Sequence, residues 1–492
     1  MKLILKKRYF IYLLFTVLVY YCKKYKKNIL FMVLKRTKKG KHLIKNKKSK
    51  ALKIIKEGMF SKKYLYNFKK LPDNGVSGEN ITHILDNRLS NINDKVSGCV
   101  YTKDPNCIRL LQNINSKYLF SNPLHPDLFP ELIKMESEII SMVGSLFDLP
   151  ENGGGNLTTG GTESTILALK AYKKIKKKSL YFFKPEVLCT KTVHAAVNKA
   201  CELLDLNIVY VDLDENHVMD VNDLMSKISF KTCVVVASAP CFPYGLMDPI
   251  NDISYLCEQY KIPLHVDACL GGFITQFDNS LRLSFNSNIQ SLSVDPHKFG
   301  YAPKGSSILL WKNREMKHNQ YFIQNDWTGG IYASVSLPGS RVGSQIATTW
   351  GALLYYGLSI YDCIGKQIIE ETKLLANKIR SIDTFEVIGH PNVNVVAFYS
   401  NKYSVSQIVD YVSKEGWNLN ILQNPLCVHL CITPKNIKCI ENLVQLLRDI
   451  CKEEVNNDGE NIASIYGMSA SLPDKSIVNE IVENYLDMTT NV

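Results

Sequence analysis

The sequence predicts an α/β protein: a large, mostly parallel sheet followed by a smaller α+β unit. Three observations carry that prediction. From about residue 130 the 492-residue chain alternates helical and strand patterns. A Gly-rich turn, Gly160-Gly161-Thr162-Glu163-Ser164, runs directly into a helical pattern. Two polar residues, Asp267 and Lys298, each close a short β-rich run.

Glu131 to Phe147 has helical periodicity, with apolar positions at Ile133, Met135, Ile139, Ile140, Val143 and Leu146. Thr165 to Lys177 continues a second helix after the Gly-rich turn. The runs Val187–Cys189, Ile208–Val211, Cys233–Val236, Leu264–Val266 and Ser306–Trp311 then read as strands, most of them separated by helical segments. After about Thr348 a long helix leads to a strand at Val395–Tyr399, a helix near Val405–Lys414 and a strand at 426–432. The predicted divisions are an anchor helix with its flanks (1–35), a basic linker (36–70), an N-terminal segment of the body (71–130), a large domain (131–347) and a small C-terminal domain (348–492).

Charge is distributed unevenly. Residues 1–70 hold 23 Lys and Arg against one acid, Glu57, for +22, so with a total of +13 the rest carries −9. A basic leader on an acidic body is not the pattern of a nucleic-acid-binding domain, and no nucleic-acid partner is expected. Within the leader, Tyr9 to Cys22 is a 14-residue run without a charge, flanked by Lys6-Lys7-Arg8 and Lys23-Lys24. A helix of that length spans about 21 Å, short of the roughly 30 Å hydrocarbon core, and flanking lysines snorkel across part of the difference. Bulky Tyr20-Tyr21-Cys22-Lys23 is a poor cleavage site, so the expectation is an uncleaved membrane anchor. Four basic residues precede the run and nine lie between Lys23 and Lys41, which places the body on the cytosolic side.

The 14 cysteines are sparse and irregularly spaced, as for buried thiols in a reducing compartment. Cys427-x-His429-x-Cys431 would place three side chains on one strand face, but a second ligand pair is not nearby and no metal is expected.

The chemistry follows from Lys298 and Asp267. An amine and a carboxylate at two strand ends suit pyridoxal phosphate, the lysine carrying the cofactor and the carboxylate pairing with its ring nitrogen. The Gly-rich turn offers backbone N–H groups to the phosphate. His194, read as opening another helix, is either a cap or, in the order Gly-rich loop, His, Asp, Lys, the group stacked on the cofactor ring.

With these residues in place the chain resembles the sphingosine-1-phosphate lyases, a family of fold-type I pyridoxal-phosphate enzymes related to the group II decarboxylases. The resemblance spans roughly residues 80 to 475 and rests on Lys95–Tyr101, Ser121–Asp127, Thr159–Ser164, Ser238-Ala239-Pro240, Phe242–Gly245, Tyr301–Ser307, Asp326-Trp327, Gly329–Ser334, Gly339-Ser340-Arg341 and Tyr466-Gly467-Met468. It implies Lys298 as the cofactor lysine, Asp267 as the ring-nitrogen partner and His194 as the stacking group. It implies Gly161, Thr162 and His297 at the cofactor phosphate, joined by Ser340 from the neighbouring subunit of a homodimer. Tyr101, Asn122, His125 and Lys304 match positions associated with the phosphate and polar head of a phosphorylated sphingoid base. Tyr244 falls near the reacting carbons, where Lys298 or Tyr244 would carry the proton. The family reading implies retro-aldol C2–C3 cleavage and a single-pass endoplasmic reticulum membrane protein facing the cytosol. Two alternatives stay open: an amino-acid decarboxylase on the same scaffold, and a non-enzymatic scaffold whose basic leader binds membrane or nucleic acid. Asp295-Pro296 before His297-Lys298 suits decarboxylase versions of the motif as well as lyase versions, and Cys241 replaces a more usual polar residue.

Overall fold

Seven strands make the central sheet: β1 (Gly154–Thr158), β2 (Glu186–Thr190), β3 (Asn207–Val211), β4 (Thr232–Ser238), β5 (Leu264–Asp267), β6 (Ile289–Val294) and β7 (Ser307–Trp311). Their order is β1-β7-β6-β5-β4-β2-β3. β2, β3, β4, β5 and β6 pair in parallel, while β7 runs antiparallel to both its neighbours, β6 and β1. The computed structural model describes residues 70–88, 92–178, 182–453 and 476–490, with scattered positions between 37 and 53. The expected anchor at Tyr9–Cys22 and most of the basic linker lie outside the described residues. Among the described residues no helix is long and apolar enough to cross a membrane.

The sheet is covered on both faces, which is why its strands read as continuous apolar runs. Val234, Val236, Leu309 and Trp311 pack with the helix Gly161–Lys177 in one core. Val235, Ala237, Ile308 and Leu310 point the other way, into a larger core that includes Ile139 and Val143 of the helix Pro130–Leu146. All seven residues of β4 are buried.

The expected strands of the large sheet coincide with β2, β3, β4, β5 and β7. β1 was not legible, because its sequence Gly-Gly-Asn-Leu-Thr lacks apolar patterning; full pairing with β7, from Gly154 opposite Trp311 to Thr158 opposite Ser307, makes it a strand. A two-stranded ribbon, β8 (Phe322–Gln324) and β9 (Tyr332–Ser334), follows. The long helix starts at Gly343 rather than near Thr348 and breaks at Gly357 (φ 59°), before continuing to Arg380.

The smaller sheet contains β10 (Phe385–Val387), β11 (Val395–Ser400), β12 (Asn420–Leu422) and β13 (Cys427–Cys431), all antiparallel, in the order β10-β11-β13-β12. The chain ahead of the large sheet joins it: Val96 bridges Asn418, and Gly98 N–H donates to the Cys431 carbonyl at 3.2 Å.

Candidate active site

In an open parallel sheet, ligands bind beyond the carboxyl ends of the strands. Here that edge carries Gly160-Gly161 after β1, His194 after β2, Asp267 at the end of β5 and Asp295 to Lys298 after β6. The antiparallel sense of β7 brings its entering loop, with Lys304, to the same edge. A cavity of about 300 Å³ lies there, lined by seven of the residues singled out in the sequence: Tyr101, Gly161, Thr162, His194, Asp267, His297 and Lys298. Asp295, Cys269 and Phe242 complete much of its wall.

Lys298 Nζ is 2.9 Å from Asp295 Oδ2, and His297 Nε2 is 3.5 Å from the same oxygen. The turn makes this pairing: Lys298 N–H donates to the Asp295 carbonyl at 3.0 Å. Burial opposes both charges. It would raise the Asp295 carboxyl, but Lys298 and His297 outweigh it and hold the group below the usual carboxylate value. Burial would likewise lower the Lys298 ammonium, yet Asp295 wins and keeps it above the usual lysine value. Burial does prevail at His297, whose pKa is lowered. Its Nδ1 accepts from Ser306 N–H at 3.1 Å, which leaves the proton on Nε2.

Asp267 Oδ1 accepts from Cys269 N–H at 3.1 Å, which fixes the carboxylate where β5 ends. His194 does not open its helix directly. It precedes the helix Ala196–Leu203 by two residues, and Nδ1 accepts from Ala196 N–H at 3.1 Å. The capping and cavity-lining roles therefore coexist in one ring, with Nε2 carrying the proton. The helix Gly161–Lys177 begins at the cavity, four residues earlier than its apolar pattern indicates. Glu163 braces that start: it accepts from Thr159 N–H at 2.7 Å and from Leu337 N–H at 2.8 Å.

Five predicted residues do not line the cavity. Lys304 comes nearest, at its rim, with Nζ 4.5 Å from the Tyr101 ring centroid and 3.4 Å from the His297 carbonyl. Tyr244 is buried and its hydroxyl donates to the Asn424 carbonyl at 3.0 Å; burial pushes that phenol up to about 12. Asn122 and Ser340 meet each other instead, Asn122 Nδ2 donating to Ser340 Oγ at 3.1 Å. His125 is exposed and tied to Asn122 through the backbone, its N–H donating to the Asn122 carbonyl at 3.2 Å. Arg341 secures this second cluster with two 2.8 Å bonds to Glu136.

Asp295 is the residue that motif reading passed over as a partner of the lysine. Its signal was available: an acid three positions before Lys298 in a tight turn reaches the amine. Phe242 and Cys269 gave no comparable signal, since an isolated aromatic and a thiol are ordinary core residues.

The pyridoxal-dependent decarboxylase conserved domain matches residues 76–401, which defines the class as a pyridoxal-phosphate-dependent enzyme. The sphingosine-1-phosphate lyase of Dictyostelium discoideum is 37% identical over 462 residues, covering 90% of this chain and 86% of that one. Sphingosine-1-phosphate lyase 1 of Rattus norvegicus is 37% identical over 482 residues, covering 94% and 84%. A solved sphingosine-1-phosphate lyase from Burkholderia pseudomallei aligns with a TM-score of 0.77 at 27% identity, over 89% of this chain and 99% of that one. The chain belongs to the sphingosine-1-phosphate lyase family. It is a lyase, and its cofactor is pyridoxal phosphate.

The cavity fits that cofactor. Gly161 and Thr162 at a helix start, the Lys298 amine and the Asp267 carboxylate line one cavity, the set of groups that a phosphate, an aldehyde and a ring nitrogen call for.

Proposed function

We propose that the enzyme cleaves the C2–C3 bond of phosphorylated long-chain sphingoid bases, releasing a fatty aldehyde and ethanolamine phosphate. The observation that carries this reading is the Lys304 ammonium seated on Tyr101 at the rim of the lysine cavity. A phosphate monoester brings nearly two negative charges, and a cation beside a phenol is a fitting partner for it. An amino acid brings singly charged carboxylates, a weaker match for that cation than a phosphate monoester.

Pyridoxal phosphate, when bound, supplies the electron sink for breaking a bond at the amine-bearing carbon. Gly161 and Thr162 at the helix start, with His297, would hold its phosphate. Asp267 would pair with its ring nitrogen, and His194 would lie against its ring. Lys298 would carry the cofactor and hold the proton that is returned to the substrate. Tyr244, with its hydroxyl committed to Asn424 and its phenol pushed up to about 12, is a poor proton donor.

Support for a homodimer comes from the Asn122–Ser340 cluster, which leaves Asn122, His125 and Ser340 away from the cavity of their own chain. Nearby chain carries exposed Trp327 (56%) and Ile331 (81%), an apolar surface suited to a second copy. On this reading Ser340 of one chain completes the phosphate site of the other, and Asn122 and His125 complete its substrate site. The Tyr9–Cys22 run and its basic flanks support single-pass anchoring in the endoplasmic reticulum membrane, with the catalytic part facing the cytosol. Deleting residues 1–35 should release active enzyme from membranes; a truncated protein that still pellets with them excludes that segment as the tether.

Purified enzyme given sphingosine phosphate should yield a long-chain aldehyde and ethanolamine phosphate. Carbon dioxide from an aromatic amino acid, with no aldehyde from the lipid, would overturn the assignment in favour of a decarboxylase.

A further inference from the structure

We infer that His429 of the small sheet is a positioning residue for the cofactor-stacking His194, acting through Pro243 and Phe242. The Cys427-x-His429-x-Cys431 strand looked like half a metal site, but among the described residues no group of His, Cys, Asp and Glu is arranged to hold a metal ion. Its histidine is fully buried and each ring nitrogen has a partner. Asn420 Nδ2, a donor, lies 2.8 Å from Nε2, so Nε2 accepts; Nδ1 therefore carries the proton and donates to the Pro243 carbonyl at 2.8 Å. Burial holds the imidazole pKa at about 4, so this neutral tautomer persists at neutral pH.

The bond to Pro243 places the residue before it. The Phe242 ring stands edge-on to His429, with centroids 4.9 Å apart and planes at 74°. It stands edge-on to His194 as well, at 6.3 Å and 88°. Phe242 lines the lysine cavity while 42% exposed, so neighbouring core packing does not by itself fix it. The loop is seated on the small sheet at its far end also. Gly245 has φ +70°, and a Cβ there would lie 2.5 Å from the Val395 carbonyl oxygen of β11.

The same strand secures the opposite wall. Ser97 Oγ donates to the His429 carbonyl at 3.2 Å and accepts from Cys431 N–H at 2.8 Å and Asn420 Nδ2 at 3.1 Å. Four residues on, Tyr101 lines the cavity. Two aromatic walls, from segments 141 positions apart, thus refer to one histidine of the small sheet. His194 needs such a reference, because it is exposed and its Nδ1 bond to Ala196 fixes one point of the ring.

The inference rests on the lysine cavity as the cofactor site and does not depend on which substrate is cleaved. The test is visible-region circular dichroism of the holoenzyme, which reports the asymmetry of the bound cofactor, beside its absorbance and thermal melting. His429→Leu should keep the absorbance band but lose half or more of the dichroism, with kcat/KM reduced about fivefold. His429→Asn, whose amide N–H stands where Nδ1–H stood, should recover most of the dichroism. Phe242→Leu, at a part-exposed position, should lower the dichroism without lowering the melting temperature, and it decides the matter if His429→Leu fails to fold. Wild-type dichroism in Phe242→Leu would overturn the inference. So would equal losses of dichroism and melting temperature in His429→Leu and His429→Asn, which would mean that the histidine only packs. A wild-type holoenzyme without the band would remove the cofactor site, and this inference with it.

Discussion

Around Lys298 each polar group is set by a strand end or a helix start of one chain: Asp267 closes β5, Asp295 follows β6, and Gly161 begins a 17-residue helix. Asn122, His125 and Ser340 are placed differently. They sit on loops at a part-exposed face, held by Arg341 and Glu136, and none of them lines the cavity of its own chain. The first region is complete within one chain, Ser340 apart, because the sheet edge converges on it. The second has its groups in register with one another but has nothing to act on. On the homodimer reading that difference separates the chemistry around Lys298, which one chain organises with a single contact from Ser340 of its partner, from substrate recognition, which draws Asn122 and His125 from the second chain.

The largest test strikes the complete region. Lys298→Ala should lower turnover by about 10⁴-fold or more and abolish the visible cofactor band while leaving a folded protein. A variant that retains the band would show that another amine holds the cofactor.

The second test addresses the incomplete region. His125→Ala should lower kcat/KM by about 10- to 100-fold through loss of a charge-assisted contact to the substrate phosphate. If the two regions meet across a dimer, then co-refolding Lys298→Ala chains with His125→Ala chains gives mixed dimers with one fully native site. Activity should then return to about a quarter of wild type, since half of the dimers are mixed and each has one good site of two. No recovery, with mixed dimers confirmed by mass spectrometry, would put both regions in one chain's site.

How far these regions were legible in the sequence follows from what each depends on. The inner strands other than β6, whose run Ile-Gln-Ser-Leu-Ser-Val mixes in polar residues, read correctly because burial on both faces leaves apolar runs such as Cys233–Val236. β1, with two glycines, depends on β7 far along the chain, while β10 and β12, three residues each, are too short to show an alternating pattern. Lys298 and Asp267 were legible because each closes a β-rich run, and His194 through its place in the order Gly-rich loop, His, Asp, Lys. The second cluster was named residue by residue through resemblance, but its separation from the cavity is a property of tertiary placement. Tyr244 shows the same limit, since its hydroxyl direction is set by Asn424, 180 positions away.

Asp295→Asn probes what the complete region costs before the cofactor arrives. Lys298 is held above its usual pKa, so its share of the stability is whole below the unfolded lysine value and is lost as pH rises through the folded one. Asp295 is held below its usual value, so its share is present above the unfolded carboxylate pKa and is lost as pH falls through the folded one. Both shares are present at neutral pH. Removing one partner of this buried pair should therefore destabilise the cofactor-free protein by about 3 kcal/mol at pH 7, measured by denaturant unfolding. The gap between wild type and variant should narrow as pH drops below the ordinary carboxylate range. A gap that stays constant there would mean that the Asp295–Lys298 ion pair is not its source.

The smallest expected effect belongs to Tyr244, and it bears directly on which region holds the moving proton. Its hydroxyl donates to the Asn424 carbonyl, and Cys241, Leu246, Ile388, Ala397 and Cys427 surround it in a small core apart from the cavity. Tyr244→Phe keeps the ring and removes one hydrogen bond. Stability should fall by about 1 kcal/mol, with kcat changed less than about threefold. Were the hydroxyl to swing into the cavity during turnover and carry the proton, kcat would instead fall by about 10²-fold or more, with KM little changed. Steady-state kinetics on this one variant therefore decide whether Tyr244 carries the proton or leaves that role to Lys298, as we propose.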